Sequence, residues 1–430
     1  MIEITTLLLG LIVGPQVVGF AAAPQVASVV FEVDGRVAAG VRPEEGVWAA
    51  RIDLGEELMP HRVDAVAYDA DGREIGRDVE WVNLPRPEIA ARLVLHGDAW
   101  TPDRASLVWE HLAARPVTVR RATATLDGRT LAIPDPADFP LPRPDPDVPH
   151  VLALEVTFSN GERIELARAW GGGAIDEIET RLLPFRVATR GDAQWPADPV
   201  ATLAACLAAP EGAQVAGWED EGAEVLVVRD LAALPRIDRM VRLSQKRLAQ
   251  SSRLLPLRDG DRLRQVWPFA RRTEHRRGEL SLFPSSEATA STERGMISVL
   301  RERSVRPRGA EQRLADAVAV AGLLAYGSGR PAAVVLVLAD GAEDASAASP
   351  PEVRAYLDAL GVPLYPWSVG GGGLVGDWGL VDDVSDLVRF EHAVARLRGE
   401  LDRQRLVWLS GVELPQDVRF GDCACCQPAV

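Results

Sequence analysis

Two aspartates in this chain each stand directly after an unbroken apolar run. The segment Ala332–Asp344, AAVVLVLADGAED, carries one run into Asp340-Gly341, and Glu224–Val228 leads into Arg229-Asp230. Runs of this length and composition read as buried strands. In an open α/β sheet the ligand crevice lies beyond the carboxyl ends of the strands. Two carboxylates delivered there begin a site for a hard divalent cation such as Mg²⁺, which takes oxygen ligands in octahedral array. Asp230 and Asp340 are therefore the candidate metal residues.

The elements that must position them follow from periodicity. Val225–Val228 is expected as strand, and Ile237–Leu248 as a helix with Ile237, Met240, Val241 and Leu248 on one stripe. Arg264–Phe269 and Glu279–Phe283 suggest a hairpin. Leu314–Ala325 reads as an alanine-rich helix, Ala333–Ala339 as the central strand, Pro351–Leu360 as a helix ended by Gly361, and Val362–Val369 as strand. Leu387, Phe390, Val394, Leu397 and Leu401 recur at helical spacing before a last strand, Leu406–Leu409. Short strands alternating with amphipathic helices imply an α/β doubly wound, Rossmann-like parallel sheet.

This order, with the stretches EVLVVRD, GAEQRLADAVAVAGLLAYG, AAVVLVLADGAED and GVPLYPWSVG, resembles a von Willebrand factor A domain. The resemblance implies a binding domain that engages a protein partner at the top of its sheet, through a metal-ion-dependent adhesion site. In that family the first loop is Asp-x-Ser-x-Ser, completed by a threonine and a final aspartate. Here the loop reads Asp230-Leu231-Ala232-Ala233-Leu234, without either serine, and no threonine occurs near Ala310–Gln312. Only Asp230 and Asp340 match. The resemblance therefore implies a degenerate site with no cofactor; the alternative is Mg²⁺ held weakly by the two aspartates and water.

The first third reads as all-β and repeats itself. Pro60–Ile75 and Pro149–Ile164 align without a gap, each an alternating strand, an Asp-Gly or Asn-Gly turn and a return strand. Leu152, Leu154, Val156 and Phe158 fall on one face, and Asn160-Gly161 suits a tight hairpin. Asp34-Gly35 and Asp127-Gly128 mark an upstream hairpin in each copy, and His61 and His150 take equivalent places, which points to a structural role. Two such units suggest tandem β-sandwich modules similar to bacterial immunoglobulin-like domains. Pro134–Pro149 is expected as a surface loop.

The apolar run Thr5–Ala23 fits an export signal or N-terminal anchor, although MIEI before it lacks a basic residue and Pro15 interrupts it. The expected organisation is then 1–24 signal or anchor, 25–86 and 87–172 immunoglobulin-like modules, 173–222 a linker with short elements around Ala201–Ala209 and Gln214–Trp218, 223–412 the A-type domain, and 413–430 a cysteine-containing tail. Localisation is expected outside the cytoplasm, with the membrane reached only through the N-terminus.

A formal net charge of −15 over 430 residues argues against nucleic acid as a partner. Cys423, Cys425 and Cys426 crowd the tail, which by itself offers no fourth ligand for a soft metal, so a mobile tail with reactive thiols is expected. Arg190-Gly191-Asp192 matches a known integrin-binding tripeptide, but in this composition chance explains it. Gly370–Gly373 and Gly376 lack the lysine of a phosphate loop and suggest a flexible top-face loop. Arginines 271, 272, 276 and 277, with 301, 303, 306 and 308, are expected as a solvated hairpin turn and loop; the alternative is a positive patch that meets an acidic partner or anionic surface. No set of acid, base and nucleophile converges, so an enzyme is the least expected class. The leading expectation is a non-enzymatic binding or scaffold protein with a protein partner; the alternatives are a metal-dependent adhesin and a structural subunit of an envelope complex.

Overall fold

A computed structural model describes residues 2–4, 6, 11–22, 26–42, 48–85, 89–97, 101–111, 117–142, 145, 148–159, 163–170, 182–191, 193–196, 198–208, 213–243, 257–269, 283–286, 288–291, 295–303, 306–307, 309–370, 373–374, 376–421, 423 and 425–429. The chain divides into two compact units, Arg86–Arg181 with Thr273–Leu280, and the remainder.

Each copy of the sequence repeat folds as a β sandwich of one three-stranded and one four-stranded sheet. In the first, Ile2–Ile4, Pro15–Ala22 and Ala49–Asp53 form the smaller sheet. Arg36–Val41, Ser28–Val33, His61–Tyr68 and Glu74–Val82 form the larger, in that order. The second copy repeats the plan: Ile89–Gly97, Pro102–His111 and Phe139–Pro140 face Arg129–Leu131, Val119–Leu126, His150–Phe158 and Arg163–Trp170. As expected, Leu152, Leu154, Val156 and Phe158 are buried, and their neighbours between are half-buried. The Asn160-Gly161 turn lies outside the described residues.

The fold corrects the reading of 1–24 as a segment apart from the first module. Pro15–Ala22 is a strand with period-two burial, Val18 and Phe20 facing the sandwich core and Val17 exposed. It takes the place that Pro102–His111 takes in the second copy. Its apolar character is that of a core strand. Pro134–Pro149 is also more than a surface loop, because Phe139 and Leu141 are buried and Phe139–Pro140 pairs with Pro102–His111, the central strand of its sheet.

The two histidines perform one job twice. His61 Nδ1 lies 2.8 Å from Asp34 Oδ2, and His150 Nδ1 lies 2.7 Å from Asp127 Oδ2. Each aspartate also accepts a backbone N–H from the next strand, Arg62 or Val151. Asp34 and Asp127 both have φ of 51° at the first turn position, followed by glycine, which the two-residue hairpin demands. In the second copy the hydrogen bond to Asp127 raises the His150 pKa, against the opposing effect of burial. Burial works to raise Asp127, but the bonds from His150 and Val151 outweigh it and hold the carboxyl below its ordinary value. The histidine contribution to stability is complete below about pH 6.5 and is lost as pH rises through the higher folded value. The aspartate contribution is present above its unfolded value and is lost as pH falls through the lower folded one. His150→Gln should therefore destabilise the chain more at about pH 5.5 than at about pH 8.5. Denaturant melts of both proteins at the two pH values check this, and an equal difference at both would refute it.

The larger unit also contains a seven-stranded sheet, ordered Thr289–Ala290, Arg262–Val266, Glu224–Arg229, Ala332–Leu338, Leu364–Ser368, Leu380–Asp383 and Gly373–Leu374. The five strands from Arg262–Val266 to Leu380–Asp383 are parallel, and both edge strands are antiparallel. Glu224–Arg229 and Ala332–Leu338 are buried at every position, as strands covered on both faces must be. Helices Leu314–Gly327 and Pro350–Ala359 contribute to the core on one face. Ala233–Leu243, Met296–Leu300 and Leu387–Arg403 contribute to the core on the other. Pro350–Ala359 starts at a capping box, Ser349 with Glu352.

Three expectations change here. Arg262–Val266 is a parallel neighbour of Glu224–Arg229, and its antiparallel return runs through Ser285 and Thr289–Ala290; of the expected return strand, 279–282 lies outside the described residues, as does Leu248. Gln404–Ser410 does not join the parallel sheet. It lies between Leu183–Thr189 and Gln214–Glu219 in a separate antiparallel sheet, whose fourth strand, Cys426–Pro428, comes from the tail. The supposed linker supplies both strands that flank the chain's last long strand, the tail pairs with one of them, Leu183–Thr189, and all share a buried core that includes Leu183, Leu203, Val407 and Cys426. Arg186 ties this sheet to the α/β layer. It is fully buried and donates to the carbonyls of Ala325, Tyr326 and Arg330 at the end of helix Leu314–Gly327, where burial pulls its pKa down to about 10.

Candidate functional site

The chain order of the sheet reverses between Glu224–Arg229 and Ala332–Leu338. The next strand after the first lies on one side, and the next after the second lies on the other. Such a switch point is where an open α/β sheet forms its crevice. The two strands run in register, Arg229 opposite Val337, and Asp230 N–H donates to Val337 O at 2.8 Å. Asp230 and Asp340 thus leave adjacent strands at their carboxyl ends.

Asp230 is 2% exposed, and both carboxylate oxygens are engaged. Oδ1 accepts from Ala232 N at 3.0 Å and from Gln312 Nε2 at 3.0 Å. Oδ2 accepts from Ala339 N at 3.1 Å. Gln312 sits just before helix Leu314–Gly327 and spans the loops around it. Its Oε1 accepts from Leu231 N at 2.8 Å, and Nε2 also donates to Glu343 O at 2.8 Å. A neutral amide is therefore bonded to the buried carboxylate.

Asp340 has a different partner. Its Oδ2 lies 3.0 Å from Arg236, on helix Ala233–Leu243, and the side chain remains 59% exposed. It lies flat against Gly370, where an added Cβ would stand 1.8 Å from Asp340 Oδ1. That close approach accounts for the first glycine of the Gly370–Gly373 run; residues 371 and 372 lie outside the described residues. Another acid of the loop, Asp344, accepts from Leu314 N and Ala315 N at 2.8 and 3.1 Å. It caps the helix and places negative charge at its positive end. Asp316 returns the contact by accepting from Ala347 N and Ala348 N.

The charges at the switch point are thus satisfied from within the chain. The next buried group is cationic: Arg229, 1% exposed, donates to Glu302 O at 3.1 Å, and burial pulls its pKa down against the opposing effect of Asp230. Among the described residues, no group of three or more His, Cys, Asp and Glu ligands forms at Asp230 and Asp340. Residues of this character do not fit a resident Mg²⁺, which would have to displace an amide and a guanidinium while gaining no hydroxyl ligand. A cleft of about 500 Å³ opens beside Asp344 and Trp378, beyond the end of Ala332–Leu338, and its lining includes no histidine, cysteine or lysine.

Sequence reasoning identified both aspartates but missed Gln312 and Arg236. The signal was available in part, since Gln312 ends the segment inspected for a threonine. The arginine cluster at 271–277 and Arg308 lie outside the described residues. Arg301 pairs with Asp238 at 2.7 Å, and Arg306 donates to Ala310 O while lying over Phe269. The arginine that meets Asp340 is Arg236. Arg190 is held in the fold, its Nε donating to Cys426 O at 3.2 Å; Asp192 lies outside the described residues.

The tail is corrected more sharply. Cys423 and Cys426 are buried, and Cys206, the last residue of helix Pro199–Cys206, meets them. The fourth cysteine that the tail lacks is Cys206, 217 residues from Cys423 and disulfide-bonded to it, with Cys425 and Cys426 as free thiols beside the pair.

No protein-family model matches the chain. No curated relative matches it. Among solved structures, fibronectin(III)-like modules of Clostridium thermocellum CbhA are similar at 22% identity over 19% of this chain and 93% of theirs, with a TM-score of 0.17. The central fibronectin-III array of RIM-binding protein is similar at 13% identity over 48% and 81%, with a TM-score of 0.20. A β-glucuronidase from glycoside hydrolase family 2 is similar at 10% identity over 52% and 26%, with a TM-score of 0.18. At these scores the likenesses carry no functional assignment. The immunoglobulin-like, three-against-four sandwich plan rests on the strand pairing of this chain.

Proposed function

We propose that the α/β layer is a von Willebrand factor A-type binding domain that engages a protein partner at the carboxyl end of its sheet without a metal, in a protein that is not an enzyme. One observation carries this reading: the Asp230 carboxylate is satisfied by Gln312 and two backbone N–H groups, while Arg236 holds Asp340. A surface so arranged offers shape, an exposed aspartate and arginine, and backbone groups of the loops around Glu343, the means by which a protein surface is recognised. The sandwich modules act as scaffold.

Photo-crosslinking tests this reading. A crosslinkable residue at Glu343, exposed at the carboxyl end, should capture a discrete protein partner, whereas one at Asp259, exposed at the opposite end, should not. Capture should be unchanged by a chelator. Titration with Mg²⁺ or Mn²⁺ should give no saturable submillimolar response that Asp340→Ala removes. Loss of capture on chelation, or such a response, would replace this reading with a metal-dependent adhesin; equal capture from both ends would place recognition elsewhere.

A further inference from the structure

We propose that Cys206, Cys423, Cys425 and Cys426 form a tetrathiolate site for one Zn²⁺ that fastens the tail to helix Pro199–Cys206. All four sulfurs lie within 4.8 Å of one another. Cys423 Sγ is 3.2 Å from that of Cys425 and 3.3 Å from that of Cys426, and the latter two are 3.1 Å apart. Cys206 Sγ is 3.9 Å from Cys426 Sγ and at disulfide-bonding distance from Cys423. Tetrahedral zinc with Zn–S bonds of about 2.3 Å sets its sulfurs about 3.8 Å apart. The cluster is near that size, so small side-chain movements admit the ion.

A disulfide alone accounts for two of the four sulfurs. It leaves Cys425 and Cys426 as free thiols pressed against the pair, Cys426 being 1% exposed. Zinc uses all four and seeks this ligand type, because thiolate is a soft donor and four-coordinate Cys₄ is a closed, structural arrangement. The backbone is built to present them. Leu207–Ala208 pairs antiparallel with Arg419–Phe420, and Gly421 N donates to Cys206 O at 2.8 Å, which fixes the two segments beside each other. Arg190 holds the turn from the other side, its backbone N–H donating to Cys425 O at 3.0 Å and its Nε to Cys426 O at 3.2 Å. That guanidinium also brings positive charge near a site whose four thiolates exceed the charge of the ion. Binding releases the thiol protons and involves no electron transfer. The ion closes a loop that holds the whole α/β layer.

The full chain, purified with a thiol reductant and without chelator, should contain about one zinc per molecule by elemental analysis. Its thiols should resist a thiol-reactive dye until a chelator is added. Reconstitution with Co²⁺ should give the ligand-field and sulfur-to-metal bands of a tetrahedral thiolate complex, and Cys425→Ser, at the half-exposed ligand, should lose them while the chain keeps its elution volume and circular dichroism. Four freely reactive thiols in the folded, reduced, zinc-supplied protein would overturn the proposal. So would a Cys206–Cys423 disulfide recovered from it by peptide mapping, or metal binding unaffected by Cys425→Ser.

Discussion

Removal of residues 1–24 should leave the first β sandwich unable to fold. The deletion takes away Ile2–Ile4 and Pro15–Ala22, two of the three strands in the smaller sheet, and with them the buried side chains Ile2, Val18 and Phe20. Each large apolar side chain is worth about 1.5–3 kcal/mol when buried. Their combined loss, roughly 6 kcal/mol, is comparable with the whole stability of an ordinary domain. Ala50 and Ile52, which pair with Val18 and Gln16, would face water. The damage should spread, since Leu58 and Leu84 of this sandwich belong to the core under helix Leu314–Gly327, and Tyr356 OH donates to Asn83 O at 2.7 Å. A point-mutant pair sharpens the test. Val18→Asp buries a charge in the sandwich and should cost at least about 4 kcal/mol. Val17→Asp, one residue away at 64% exposure, should change stability by no more than about 0.5 kcal/mol. Denaturant melts and limited proteolysis measure both. Equal effects at the two positions, or a truncated chain as stable as the full one, would show that the segment is not a core strand.

The N-terminal segment also shows where the sequence was legible and where it was not. Period-two alternation with Asp-Gly or Asn-Gly pairs identified both hairpins of each copy, because the alternation there matches the burial of the strands. Pro15–Ala22 carries the same alternation, but its small and apolar residues also suit an exported leader. Only its pairing with Ala49–Asp53, a distant contact, distinguishes the two. The parallel sheet was legible because Val225–Val228 and Ala332–Leu338 are buried on both faces and therefore apolar throughout. Leu406–Leu409, within strand Gln404–Ser410, is apolar too, yet that strand joins a different sheet with Leu183–Thr189 and Gln214–Glu219. Hydropathy reports burial and says nothing of the partner. The cysteines make the same point, since spacing within the tail could not reveal Cys206. At the candidate site, Asp230 and Asp340 were legible from their position after a strand. Gln312 and Arg236 were not, because an amide or guanidinium that meets a carboxylate from a distant part of the chain follows no spacing rule.

Asp230→Ala should destabilise the larger unit by about 3 kcal/mol, whereas Asp340→Ala should cost no more than about 1 kcal/mol. The two aspartates look alike in sequence, and their environments set them apart. Removing the Asp230 carboxylate strands the N–H groups of Ala232 and Ala339 and loosens one donor of Gln312, all beside a buried arginine that loses its neighbouring negative charge. Each buried donor left without a partner costs about 1–3 kcal/mol, and water entering the new space recovers part of that. Asp340 gives up one exposed ion pair with Arg236, of the kind worth about 0–1 kcal/mol. Asp230→Asn, which keeps the shape and one acceptor oxygen, should fall between the two. The ordering follows from carboxylates that serve the fold through different partners. A resident Mg²⁺ would impose another pattern, because both aspartates would be ligands, and the ion would stabilise the wild-type chain in proportion to its occupancy. Urea melts of the three variants, with and without millimolar Mg²⁺, separate these patterns. Equal losses at Asp230 and Asp340, both dependent on Mg²⁺, would mean that the ion and not Gln312 holds the two strand ends together.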